Sequence, residues 1–185
     1  KPLYSELGEM MFTHFGLTGP EILSASAYID DPKTRKYYIT IDMKPALSAE
    51  KLDQRIMRDF AKYSNRDYIN SLCDLLPKKM VPVVVGLSHI EPSQKVNQIT
   101  REQRERIEST LKCLTLHITG TRPIDEAIVT KGGVELTGVD PKTMQSKTVN
   151  GLYFAGEVLD VDAFTGGYNL QIAFSTGFSA GSAIK

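Results

Sequence analysis

The sequence is poor in the features that would assign it quickly. Of its 185 residues only two are cysteine, Cys73 and Cys113, and neither belongs to a Cys-x-x-Cys pair or a Cys/His cluster. A disulfide framework and a metal centre are therefore not expected, and both thiols are expected to be buried, reduced and unjoined. Lysine and arginine together number 22, as do aspartate and glutamate. With no net charge to draw the chain to a polyanion or an acidic surface, neither nucleic acid nor membrane is expected as a partner. No apolar run approaches the length of a membrane span, and the first residues lack the apolar segment of a signal peptide, so the expectation is a soluble cytoplasmic protein. Finally, no Gly-x-Gly-x-x-Gly turn follows a strand anywhere. The usual pyrophosphate cradle of a dinucleotide site is missing from these residues.

What is present concentrates in GLYFAGEVLDVDAFTGGYNLQIAFSTGFSAGSAIK, residues 151–185. The apolar run Leu152–Ala155 breaks at Gly156 into the acidic Glu157, the way a buried strand ends at a site. After an acidic loop to Asp162, Gly166 and Gly167 open a proline-free segment, Tyr168 to Ile184, with apolar residues at helical spacing. The first N–H groups of a helix lack intrahelical partners and carry the positive end of its dipole, and glycines let a ligand approach the backbone closely. An anionic or electron-rich ligand suits such a place. A tight strand-to-helix connection with no ligand has the same pattern. Ala173, Gly177 and Gly181 recur every four residues, a smooth stripe suited to close packing.

Along the chain, Glu9–His14 reads as a strand running into a glycine turn, with Thr18 or Gly19 capping a helix from Pro20 to about Tyr28. His14 has no acidic or cysteine neighbour and reads as structural. Tyr37–Met43 alternates as a half-buried strand. Ser48 begins a helix whose Leu52, Ile56, Phe60 and Tyr63 share one stripe, and Asp67–Leu76 and Thr100–Leu114 read as further helices. Val81–Leu87 fits helix or buried strand equally. The mixed charges from Arg101 to Arg106 read as a solvated helix face with no interleaved aromatics. Leu114–Thr119 alternates as a strand with His117 on its polar face. Ala127–Thr130 is a strand candidate, and Val134–Val139 with Ser146–Val149 flank a turn at Asp140–Thr143 as a hairpin.

The 151–185 stretch, together with GEMMFTHFGLTGPEIL and TKGGVELTGVDPKTMQSK in the same order, resembles the bacterial FAD-binding flavoproteins described as NAD(P)/FAD-dependent or NAD(FAD)-utilizing dehydrogenases, some of them aminoacetone oxidase-like. The resemblance spans nearly the whole chain. It implies an α+β fold comprising a β-rich insert domain (1–47, returning at 114–126), a helical subdomain (48–113), and the C-terminal strand-helix part of an FAD-binding domain (127–185). In that family the phosphate-binding turn lies ahead of the insert, so the chain looks like a fragment that lacks the N-terminal half of the FAD domain. As it stands, it is expected to hold FAD weakly at best.

The resemblance implies a flavin-dependent oxidoreductase that acts on a small molecule, with FAD as cofactor and NAD(P)H as electron donor. Gly156, Glu157 and Val158 would form the turn whose carboxylate accepts hydrogen bonds from ribityl hydroxyls. Gly166, Gly167 and the backbone of Tyr168, Asn169 and Leu170, with Gln171, would face the pyrimidine edge of the flavin. Gly132 and Gly133 would pack where insert, FAD domain and flavin meet. Ala163 stands where the family commonly has glycine, which would strain any left-handed backbone there. No acid, base or nucleophile is singled out. The rival reading is an interaction or regulatory domain that keeps this scaffold without cofactor or catalysis.

Overall fold

The computed structural model describes residues 2–184. The fold is α+β, built of helices and small antiparallel sheets. It divides into two compact units, one running Lys36–Ile118 and the other formed by the chain on either side of it.

The Lys36–Ile118 unit opens with strand β3 (Tyr37–Ile41) and closes with β4 (Leu114–Ile118), paired antiparallel from Tyr37 opposite Ile118 to Ile41 opposite Leu114. The alternation read from sequence holds: Ile39, Ile41 and Leu116 are half-buried, whereas Tyr38, Thr40 and His117 are exposed. Between the strands lie α2 (Ala49–Lys62), α3 (Val81–Leu87) and α4 (Arg101–Lys112). Ser48 caps α2 by accepting the Lys51 N–H, and Leu52, Ile56 and Phe60 sink into the core at intervals of four. Thr100 and Gln103 close a reciprocal capping box at α4, which buries Ile107 and Leu111. The ambiguous Val81–Leu87 run is a helix, with Pro82 in its first turn and Val81, Val84 and Val85 buried on one face. These side chains join Tyr68, Leu72, Leu75, Leu76, Ile90 and Val96 in one hydrophobic core.

Two expectations fail in this unit. Asp67–Leu76 is not a helix but a single 3-10 turn, Tyr68–Asn70, followed by irregular turns. The N–H groups of Tyr68 and Ile69 donate to Gln94 and Pro92, and Asp67 bridges to Lys95, so the backbone here is spent on cross-chain pairing. Cys73 and Cys113 are free, as expected, but exposed rather than buried, because the buried places around them go to the larger Leu72 and Leu75 and to Leu111 and Leu114.

Tyr68 has no exposed surface, and its hydroxyl shares a 3.1 Å hydrogen bond with Ser88 inside the core. Burial pushes its pKa from 10.0 up to about 12, against the opposing pull of the Ser88 bond. The folded state therefore binds the phenol proton more tightly than the unfolded chain does. This contribution is complete below pH 10 and is lost between pH 10 and about 12 at about 1.4 kcal/mol per pH unit. We expect chemical denaturation to show that alkaline loss in the native chain. Tyr68→Phe, about 1 kcal/mol less stable at neutral pH for want of the hydrogen bond, should lack it. Parallel pH profiles for the two proteins would refute the assignment.

In the other unit, β1 (Met11–Phe12) and β2 (Leu17–Thr18) form a minimal hairpin that leads into α1 (Pro20–Ser26), with Gly19 at the cap and Pro20 at the first helical position. Gly19 is required there, since a Cβ would stand 2.9 Å from the Glu9 carbonyl oxygen. The longest helix is α5 (Tyr168–Ala183). A second, smaller core gathers Val139, Met144, Leu159 and Ala180, with Val134, Tyr153 and Phe154 packed against it.

The β-structure expected between residues 127 and 155 is largely replaced by turns. Ala127–Thr130 forms no strand; it follows a 3-10 turn at Ile124–Glu126, and Ile128 lies exposed with no strand beside it among the described residues. The Val134–Val139/Ser146–Val149 hairpin is reduced to a bridge between Val139 and Ser146. The Asp140 carboxylate folds the turn back by accepting the Lys142 and Thr143 N–H groups, and the 144–146 segment pairs instead with 152–154, through Ser146 N–H to Leu152 O and Phe154 N–H to Met144 O. Leu152–Ala155 is accordingly not a buried strand: Tyr153 makes one isolated bridge and Leu152 is exposed.

Candidate functional site

The glycine-rich positions singled out in the sequence all fall in this second unit, around the Gly156–Val158 turn and the start of α5. Gly156 adopts φ 73°, a left-handed conformation that disfavours other residues. Its N–H donates to the Thr176 hydroxyl at 3.0 Å, and that hydroxyl in turn donates to the Ile172 carbonyl at 2.7 Å. The turn is thus pinned to the middle of α5, with Ala173 in van der Waals contact at 3.7 Å from where a Gly156 Cβ would lie. Thr176 is about 12 Å along the helix axis from Tyr168, so the turn and the helix start are separate points on one rigid element.

A second pairing fixes the other side of the turn. Val134 N–H donates to Val158 O at 2.8 Å and Asp160 N–H to Val134 O at 2.9 Å, a parallel bridge between Val134 and Leu159. Gly133 is where the two segments touch: a Cβ there would sit 2.5 Å from the Val158 carbonyl oxygen. Gly132, with φ 100°, has open space beside it. The Glu157 carboxylate is exposed and makes no hydrogen bond or ion pair among the described residues.

At the start of α5, Gly166 and Gly167 have φ 118° and 94°, and no side chain caps the helix. Gln171 N–H closes the first intrahelical bond to Gly167 O, leaving the N–H groups of Tyr168, Asn169 and Leu170 without a partner among the described residues. The Asn169 side chain is committed elsewhere: it accepts from Ala163 N–H and donates to Ala163 O, both at 2.8 Å. This two-way clasp holds the acidic loop, and Ala163 is not in the left-handed region, so no strain arises there. The Gln171 side chain bonds to Ser175. Ala173 packs as expected, but Gly177 and Gly181 are exposed, and a Cβ on either would meet nothing within 4 Å. The small-residue stripe is therefore not a packing seam within the described residues; the packed face runs through Ala173, Thr176 and Ala180.

These features suit a group that brings hydroxyls to an unengaged carboxylate and an electron-rich edge to open backbone N–H groups at a positive helix end. Thr176, which anchors the Gly156 turn, is the element that the sequence did not disclose, being one hydroxyl among several on the helix, with Ser175, Ser179 and Ser182. His14 and His117 are both exposed, His14 edge-on to Phe15 and His117 tilted against Tyr38. Beside the acidic loop, Tyr28, Phe164 and Tyr168 line a cleft of about 420 Å³.

A family model described as HI0933-like protein barrel and H2TH domain matches residues 1–129. Among curated proteins, the 3-dehydro-bile acid delta(4,6)-reductase of Clostridium scindens is 32% identical over 183 residues, covering 98% of this chain and 45% of that protein. The ribosomal RNA dihydrouridine synthase of Escherichia coli is 33% identical over 172 residues, covering 92% of this chain and 40% of that protein. Its counterpart in Haemophilus influenzae is 30% identical over 185 residues, covering 100% and 43%. The chain thus spans less than half the length of these relatives.

Proposed function

The chain belongs to the HI0933-like protein family, and from that premise we propose that it is part of an FAD-dependent reductase that draws electrons from NAD(P)H and saturates a carbon–carbon double bond. The related proteins are enzymes, and their names describe reductive chemistry on a bile acid and on ribosomal RNA. That favours reduction over the amine oxidation suggested by the aminoacetone oxidase-like branch of the resemblance. The observation that carries the flavin reading is the Gly156 turn, pinned by Thr176 to a helix that begins uncapped at Gly166 and Gly167.

In this reading the Glu157 carboxylate accepts hydrogen bonds from ribityl hydroxyls, and the free N–H groups of Tyr168, Asn169 and Leu170 stabilise negative charge at the pyrimidine edge. Gly132 and Gly133 keep the backbone beside the turn bare of side chains, while Val158 and Gln171 border the site. FAD, when bound, supplies the hydride chemistry; the chain binds and orients it. The remaining half of the FAD domain is the partner of this reading, supported by Leu170, Phe174 and Phe178, which leave an apolar face of α5 exposed at 63%, 69% and 78%. No helix among the described residues is long and apolar enough to cross a membrane.

Two substrate classes follow from the relatives: a small steroid-like molecule and a uridine in RNA. The RNA class is favoured by the charge of the Lys36–Ile118 unit, whose 14 lysines and arginines against 10 aspartates and glutamates leave a net charge of +4. We expect the full-length protein, with both halves of the FAD domain, to keep a flavin spectrum through desalting, NADH or NADPH to bleach it without oxygen, and Gly156→Trp to release the flavin while helical circular dichroism is retained. A colourless protein, or bound flavin that neither nicotinamide reduces, would instead support an interaction domain without cofactor chemistry.

A further inference from the structure

We infer that a basic cleft on the Lys36–Ile118 unit, bounded by Arg66, Lys78 and Lys95, is a docking surface for the phosphate backbone of RNA. The inference rests on the RNA branch of the reading above and locates where such a substrate would be held. The starting point is the distribution of charge. Overall neutrality, 22 cations against 22 anions, conceals a separation: the Lys36–Ile118 unit carries +4 and the rest of the chain the compensating −4. Such asymmetry between parts of a chain is a signature of a polyanion partner.

Within the basic unit the cleft measures about 710 Å³, room for a nucleotide. Its cations come from three separate pieces of chain: the turn after α2, the turn before α3, and the segment bridged to Asp67. Lys95 is ion-paired with Asp67 at 2.7 Å. Arg66 and Lys78 have no carboxylate within ion-pairing distance among the described residues, so two positive charges stand uncompensated at one opening. Neighbouring Lys62 does not add to them, being bound to Asp74 at 2.7 Å.

The Arg66 guanidinium lies over the Tyr63 ring, 4.5 Å from its centroid. Stacking holds the planar fork in place before any ligand arrives, which suits bidentate contact with a phosphate. The floor is apolar, made by Ile69, Val81 and Pro82, and gives a base or ribose face a surface to lie on. The cations border an open cleft rather than converging in a closed one, so the arrangement fits an extended anion better than a single small one. Phosphate contacts of this kind set position and affinity without reading sequence. That is what a chemistry that selects one base elsewhere on the protein needs from its docking surface.

The test is fluorescence anisotropy of the purified protein with a labelled RNA hairpin that carries uridines in its loop, titrated at 50, 100 and 200 mM KCl. Native protein should bind with a steep salt dependence. The double variant Arg66→Glu/Lys78→Glu should bind about tenfold more weakly at the lowest salt or worse, with the salt slope reduced by about 1.4, at about 0.7 per lost contact with single-stranded RNA. Lys33→Glu/Lys142→Glu, the same charge change in the other unit, should stay within twofold of native. If the Glu pair loses helical circular dichroism, Arg66→Gln/Lys78→Gln replaces it, and an unchanged affinity there overturns the proposal. Native protein that binds the hairpin while the Arg66/Lys78 variants bind it equally well overturns the cleft and leaves the RNA reading standing. Absence of binding by native protein overturns both. Displacement of the hairpin by poly-glutamate as readily as by unlabelled RNA would make the cleft a surface for acidic proteins and would also overturn the proposal.

Discussion

Gly133→Val in the full-length protein is expected to lower the midpoint of thermal unfolding by several degrees and to reduce the flavin retained through desalting at least tenfold. The cause is steric. A Cβ at Gly133 would stand 2.5 Å from the Val158 carbonyl oxygen and 2.7 Å from the Leu159 carbonyl carbon. Both are backbone atoms, so no rotamer change relieves the clash, and the segments must separate. Separation breaks the hydrogen bonds from Val134 N–H to Val158 O and from Asp160 N–H to Val134 O. Those bonds hold one side of the Gly156–Val158 turn, so Glu157 loses its fixed position together with Leu159, a buried member of the smaller core. Overpacking of this kind typically costs about 1–3 kcal/mol, and more where only backbone can yield.

Neighbouring glycines separate this steric cause from backbone strain. Gly132→Ala meets open space but a φ of 100°, so it should cost roughly 1–2 kcal/mol through conformation alone. Gly138→Ala meets nothing within 4 Å and needs no unusual backbone, and should be close to neutral. Equal behaviour of Gly133→Val and Gly138→Ala in thermal melts and flavin retention would show that the 134–159 pairing does not organise the turn.

The elements that were legible in the sequence share one property: their signals are local. Ser48 and Thr100 announce helix starts because a side-chain oxygen and an N–H three residues on complete a cap within one turn. Leu52, Ile56 and Phe60 announce a buried face because period alone puts them there. Gly156, Gly166 and Gly167 were readable because glycine tolerates a backbone conformation that other residues avoid. What was not legible depends on partners distant in the chain. Asp67–Leu76 has acceptable helical periodicity, but Asp67 is drawn into a bridge with Lys95 and the turns that follow close with shorter bonds, such as Ser71 N–H to Tyr68 O. The 134–149 hairpin has good strand patterning, yet the segment at 144–146 finds 152–154 as its partner. The same limit hid Thr176, whose role exists only because Gly156 N–H arrives from 20 residues away. It also hid the basic cleft, since Arg66, Lys78 and Lys95 are dispersed in sequence and vanish into a neutral total. A net charge of zero excludes long-range steering of the whole chain, but it says nothing about a separation of charge between units.

Leu111→Ala is expected to destabilise the Lys36–Ile118 unit by about 2–5 kcal/mol. Leu111 has no exposed surface and lies in the core with Leu52, Ile56, Val84 and Ile107. Truncation removes three carbons from an interior packed at crystal-like density, and the surrounding groups can collapse only in part. The position also carries backbone work: Leu111 O accepts the Met43 N–H at 2.8 Å, extending the strand pairing of β3 and β4 onto the end of α4. For a unit of this size each kcal/mol moves the unfolding midpoint by roughly 4–8 °C, so a shift of at least about 8 °C should appear in calorimetry. Glu105→Ala on the same helix supplies the reference. Its side chain is exposed and paired only with Arg101 at a neighbouring turn, an interaction worth about 0.3–0.5 kcal/mol. If Leu111→Ala and Glu105→Ala melt within a degree or two of each other, the core of this unit is not organised around α4. If the larger shift appears, Leu111 is a central member of the core that α4 shares with α2 and α3.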